Sequence, residues 1–176
     1  VFENPLRKAE EGEDMFEEYW RALQEVFRED PKMLTHTERV LNHAETIAES
    51  MGLTGNLRRI VQLAALLHDV GIVEAFKKHG SREGRYQHIE GPPIARRIME
   101  EQREDQEVIE RVVFLVGHHH DFSSVDGLDF QILIEADMLV NLAEENMPHD
   151  TLASFIESFF QTPKGRELAR HIYLPA

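Results

Sequence analysis

The sequence predicts an all-α protein, a single-domain helical bundle, on three observations. The hydrophobic period is helical nearly throughout, strand-like alternation is almost absent, and no linker, repeat or low-complexity stretch divides the chain. With 176 residues, 41% of them apolar, there is enough material for one sizeable core.

Each helix has its own signals. Glu13 to Glu29 carries Phe16, Trp20, Leu23 and Phe27 at helical spacing and stops before Pro31. Thr35 or Thr37 is a candidate cap for a second helix running to about Ser50. Gly52 and Gly55 mark a turn, and Asn56 is placed to cap a strongly apolar helix from Leu57 to Asp69. A short helix is expected near Ile72 to Lys77. The segment His79 to Gly91, with three glycines and several charges, reads as a loop and a candidate mobile flap. Pro92 and Pro93 suit a helix start, with the helix running to about Glu101. Further helices are expected over Asp105 to His119, Asp129 to Ala143, Asp150 to Phe160 and Pro163 to Ile172, with a loop from Asp121 to Gly127. Residues 1–176 read as one domain: a core over about 30–145, with the N-terminal helix and two C-terminal helices packed on it.

Composition excludes several classes of function. Without cysteine there is neither a disulfide framework nor a thiolate metal site, which fits a reducing compartment. No apolar run approaches the roughly 20 residues of a membrane span, and Val1 to Asp14 is acidic with no apolar signal core, so a cytoplasmic protein is expected. A formal net charge of −14 repels duplex nucleic acid. A small phosphorylated partner stays compatible, because a bound metal inverts the local field. Oligomeric state is left open.

The functional signal is a set of polar side chains where the helical period demands apolar ones. Asp137 follows Leu133 and Ile134 by one turn and precedes Val140. An ionised carboxylate on that face is costly unless paired or metal-bound. His68 and Asp69 end a helix whose previous turn is Ala64, Ala65 and Leu66, and His36 begins a face continuing through Val40, His43 and Ile47. A lone inward histidine is commonly a hydrogen-bonded core residue; the ordered set across three helices is what points to a metal. Imidazole nitrogen with carboxylate oxygen suits zinc, manganese, iron, cobalt or nickel, and magnesium less well.

At these residues the sequence resembles the HD superfamily of metal-dependent phosphohydrolases, whose signature is a His, a His-Asp pair and a later Asp. His36, His68-Asp69 and Asp137 match it, within HTERVLNHAETIA, LAALLHDVG and ILIEADMLVN. The resemblance implies a helical bundle holding one or two divalent transition-metal ions between helices. The two-metal forms add two histidines. His88 is similar to the third, and the run His118-His119-His120 supplies the fourth. Apolar residues lie behind His119 (Val116, Leu115, Val112, Val108), favouring it. His118 stays a candidate, and His120, backed by Val116, Val113 and Ile109, is not excluded by register. Glu90 or His79 is an alternative to His88, while His43, His149 and His171 read as structural or surface residues.

The resemblance further implies hydrolysis of a nucleotide or other small phosphate ester by a metal-activated water, with Asp69 and His68 as the catalytic pair and Asp69 bridging two ions. Lys77, Lys78, Arg82 and Arg85 are the nearby cations; Lys77, Lys78 and Arg85 are the candidates for binding substrate phosphate. The lysine that some members carry shortly after the His-Asp pair is missing, since the sequence continues Val70-Gly71-Ile72, and the GYP motif of cyclic-dinucleotide phosphodiesterases is absent. Two alternatives follow from the same ligands: a di-iron oxygenase, and a non-catalytic metal- or ligand-binding domain.

Overall fold

The computed structural model describes residues 16–144 and 147–174, so the expected helix start at Glu13 lies outside the described residues. The elements are α1 (Glu17–Val26), α2 (Lys32–Ser50), α3 (Gly55–Leu67), α4 (Ile72–His79), α5 (Gly84–Glu101), α6 (Gln106–His118), α7 (Leu128–Asn141), α8 (His149–Phe159) and α9 (Pro163–Tyr173). Short 3-10 turns at Phe122–Ser124 and Leu142–Glu144 flank α7. Among the described residues there is no strand, and no helix is long and apolar enough to cross a membrane.

Helices α3 and α7 form the centre. Leu63 to Leu67 are all fully buried, as are Phe130, Ile132, Leu133 and Ala136 of α7. A helical stretch apolar on nearly every side has to sit inside. Both pack against each other and against α2, while α6 covers α3 and α5 covers α6. Truncating a central side chain such as Leu66 to Ala costs about 2–5 kcal/mol, through lost transfer energy and a residual cavity.

The ends of this bundle position the site. The first turns of α2, the C-terminus of α3, the N-terminal half of α5 and the C-terminus of α6 bring the candidate residues together.

Three local expectations are corrected. The segment 79–91 is not a flap: α4 reaches His79, α5 begins at Gly84, and only residues 80–83 form a connection. Pro92 and Pro93 therefore lie inside α5 instead of starting it. Each removes one helical hydrogen bond, but α5 is held from both sides by tight packing. A Cβ on Gly71 would sit 2.5 Å from the Gly91 backbone nitrogen, and one on Gly91 3.0 Å from Val116. These close backbone approaches, invisible locally, keep the two turns before the prolines helical. The expected caps also differ. Helix α2 starts at Lys32 after Pro31, placing Thr35 and Thr37 inside it, and α3 begins after an extended Thr54 instead of Asn56.

Candidate metal centre

His36 projects from the second turn of α2, and His68 and Asp69 from the turn that ends α3. Asp137 comes from the middle of α7. His36 Nε2 lies 3.3 Å from His68 Nε2, 3.4 Å from Asp69 Oδ2 and 3.2 Å from Asp137 Oδ1. His68 Nε2 lies 3.2 Å from Asp69 Oδ2 and 3.6 Å from Asp137 Oδ1. Donors bound at about 2.1 Å to one ion stand roughly 3.0–3.4 Å apart at octahedral or tetrahedral angles. Four of the five distances fall within that range.

Orientation supports the same reading. The His68 Nδ1–H donates to the Ala65 carbonyl at 2.9 Å, which leaves Nε2 as the lone-pair atom facing the carboxylates. Asn141 donates to Asp137 Oδ1 at 2.9 Å, fixing that carboxylate one turn along α7.

A second cluster adjoins the first. His88, His119 and His120 each offer a nitrogen, and these lie within 4.8 Å of one another. His119 Nδ1–H donates to the Val116 carbonyl at 3.0 Å, turning Nε2 inward to 3.5 Å from Asp69 Oδ1. The two oxygens of Asp69 thus face different histidine sets. The Nε2 atoms of His88 and His119 are buried without a hydrogen-bond partner. Such orphaned lone pairs are costly in a folded protein unless a cation or ordered water meets them.

The electrostatics follow from burial. Burial alone would lower the His68 pKa, yet the carboxylates of Asp69 and Asp137 beside it outweigh that and hold it well above the ordinary histidine value. Burial pushes the Asp69 carboxyl up, but His68 and His119 outweigh it and hold it well down. Asp137 is likewise held low by His36 and His68 against its own burial. Burial first, then His119, lowers His88 and brings His120 to about 4. With neutral imidazoles, buried Asp69 and half-buried Asp137 make an anionic cup, which a divalent cation would neutralise.

The other candidates are placed differently. His118 stacks on Phe114 with centroids 4.3 Å apart, donates to the Phe114 carbonyl, and stands outside both clusters. Lys77 pairs with Glu29 at 2.7 Å, Lys78 with Glu90 at 2.7 Å and Glu74 at 3.2 Å. Both lysines line a groove of about 550 Å³ that none of the clustered histidines lines. Arg82 pairs with Asp30, and Arg85 pairs with Glu83 at 2.9 Å and lies over the Tyr86 ring. Glu90 and His79, weighed as stand-ins for His88, bond each other at 2.9 Å instead. His43 is half-buried, and His149 is exposed beside Asp150.

Two buried carboxylates escaped sequence reasoning. Glu135 is fully buried on α7 and Asp129 nearly so; Arg111 holds Asp129 in a bidentate pair at 2.7 and 2.8 Å. The apolar neighbours of Glu135 were the available signal.

An HD-domain family model matches residues 33–156, which contain every candidate above. No curated protein and no solved structure matches the chain.

Proposed function

Since the chain belongs to the HD-domain family, we propose that it is a metal-dependent phosphohydrolase acting on a nucleotide or another small phosphate ester. One observation carries the proposal. The Asp69 carboxylate stands between two histidine clusters, one oxygen toward His36 and His68 and the other toward His119. A carboxylate so placed would serve an ion on either side.

The donors fit divalent transition ions. His36, His68, Asp69 and Asp137 would hold one, and His88, His119, His120 and Asp69 a second. Bound there, the ions would supply Lewis acidity toward a phosphate oxygen and a lowered pKa for water. The chain does the rest. Asp69 would serve both sites and help orient a nucleophilic water. The Ala65 and Val116 carbonyls hold the Nδ1–H groups of His68 and His119, so that Nε2 is the nitrogen turned toward the site. Asn141 keeps Asp137 turned inward.

The anion of the substrate needs a cation, and the cations expected from sequence are engaged by carboxylates. Arg39 is differently placed. It lies three residues after His36 on the same face of α2, is exposed, and has no ion pair among the described residues. Helical side chains lean toward the N-terminus, so Arg39 covers the turn that carries His36. Its planar fork suits a phosphate.

The engagement of Lys77, Lys78, Arg82 and Arg85 favours a second reading, a di-iron oxygenase, in which no phosphate need be held. One experiment separates them. Metal-free protein is reconstituted in turn with manganese, zinc, cobalt, nickel and ferrous ion, then presented with phosphomonoesters and phosphodiesters. Metal-dependent phosphate or alcohol release is expected. Failure to turn over any ester, together with oxygen uptake by the iron form, would replace the first reading by the second.

A further inference from the structure

We infer that the contact running from Gly71 through Gly91 to Val116 is the spacer of the outer cluster: it sets how far Asp69, His88 and His119 stand from one another, and Gly71 and Gly91 are positioning residues for metal binding. Resting on the metal-centre reading above, the spacer goes beyond it, since neither glycine offers a donor atom.

Glycine is a poor residue for a helix interior compared with alanine, so Gly91, inside α5, needs a reason. Backbone freedom is not that reason. Neither Gly71 nor Gly91 has a positive φ, unlike Gly52, Gly55 and Gly80. The reason is space. A Cβ on Gly71 would stand 2.5 Å from the Gly91 backbone nitrogen, 2.8 Å from Gly91 Cα and 2.9 Å from the Gln87 carbonyl oxygen. All three are backbone atoms, so no side-chain rotation relieves them. A Cβ on Gly91 would meet Val116 Cγ1 at 3.0 Å. The start of α4 and the middle of α5 therefore touch with no side chain between them, and only the Val116 side chain separates α5 from the end of α6.

Each layer of the contact carries one donor. Asp69 precedes Gly71 by two residues, and His88 precedes Gly91 by three, about one helical turn. Val116 is fully buried and holds His119 through its own carbonyl, which accepts the Nδ1–H at 3.0 Å, while its side chain lies beside Gly91. Interiors packed to the density of crystals have no slack to absorb an added methyl. A Cβ at either glycine would push α5 outward and carry His88 away from Asp69 and His119. His36 projects from α2, His68 from the turn that ends α3 and Asp137 from α7, and the partners that orient His68 and Asp137 are Ala65 and Asn141, neither of them on α5. A shift of α5 spares that inner set.

The test uses the whole chain, stripped of metal and titrated calorimetrically with zinc, with thermal unfolding measured on each variant. The wild type should take up two ions in two steps. Gly91→Ala should weaken one step on the order of tenfold or more, the size found when the support of a metal ligand is lost, and leave the other in place. Gly71→Ala, whose clash is with backbone, should abolish that step. Val116→Ala alone should lower the Tm by opening a cavity and keep both steps. Added to Gly91→Ala, it removes the methyl that the new Cβ meets, and should bring the weakened step back toward the wild type. A merely structural role would instead make affinity follow stability across the set. Unchanged titrations in both glycine variants, equal weakening of both steps in Gly91→Ala, no recovery in the double variant, or uptake of a single ion by the wild type would overturn the inference while leaving a metal-dependent hydrolase intact. Uptake of no ion at all would overturn both.

Discussion

Two carboxylates of α7, fully buried Glu135 and half-buried Asp137, are taken out of solvent by opposite means. Glu135 is fully buried and accepts from the backbone N–H groups of Gln161 at 2.6 Å and Thr162 at 2.9 Å, from Gln131 at 2.8 Å, and from the Thr162 hydroxyl. Its lone pairs are used up, and it pins the turn into α9. Asp137 receives one hydrogen bond from Asn141 and otherwise faces the imidazoles of His36 and His68. Both residues are charges taken out of water. The first is satisfied by donors the fold supplies. The second, with Asp69, stands among imidazole nitrogens that bring further lone pairs and no donor of their own. A buried carboxylate signals a site only when its neighbours are themselves short of a cation.

The largest test of that contrast exchanges the two effects. Asp69→Asn is expected to abolish metal uptake and activity, and with them the stabilisation that metal gives, at a smaller cost to the metal-free protein, where Asp69 pairs with His68 and His119. Thermal unfolding with and without metal checks this; a large loss of metal-free stability would put Asp69 in the structural class. Glu135→Ala should do the reverse. It orphans several buried donors, and about 3 kcal/mol or more of stability should go, with metal stoichiometry per folded molecule unchanged. Gly165→Ala should mimic it more weakly, since a Cβ there would collide with the Glu135 carboxylate.

A smaller effect is set by pH. In the metal-free protein His68 has a raised pKa, so its contribution is fully present below its unfolded value and lost as pH rises through the folded one. Asp69 and Asp137 have depressed values, so theirs is present above the ordinary carboxyl range and lost on acidification. Metal-free stability should therefore fall on both sides. Bound metal should remove the alkaline loss, while protons compete for His68 and weaken metal affinity toward low pH. Denaturant titrations across pH, with and without metal, read both limbs. An alkaline limb that metal leaves untouched would detach His68 from the ion.

The smallest contrast concerns the cations. Arg39→Ala should raise KM for a phosphate ester several-fold with a lesser change in kcat, whereas Lys77→Ala and Arg85→Ala should stay within about twofold, in line with the modest worth of surface pairs. Steady-state kinetics on the three variants decides between α2 and the α4–α5 side of the site.

Much of this was legible beforehand because helical period and buried polarity are properties of the chain itself. Apolar faces located α2, α3, α6 and α7, and the misplaced polarity of His68, Asp69 and Asp137 marked their inward turn. The register behind the three histidines favoured His119 but left His118 and His120 open. Each has apolar residues a turn behind, and the helix end decides: α6 stops at His118, so the next two rings turn back toward His88. The helix before Pro92 was equally hidden, because its cause is Gly71 lying against Gly91 from another element.

By itself, then, the order of residues determined an all-helical chain with candidate metal-binding side chains on its inner faces, since both follow from periodicity and the cost of burying charge. Only tertiary structure decided which histidines share a centre, which carboxylate is already satisfied, and which cations are spent on neighbouring acids. Those outcomes depend on distances between atoms far apart in the chain, and helix packing alone sets such distances.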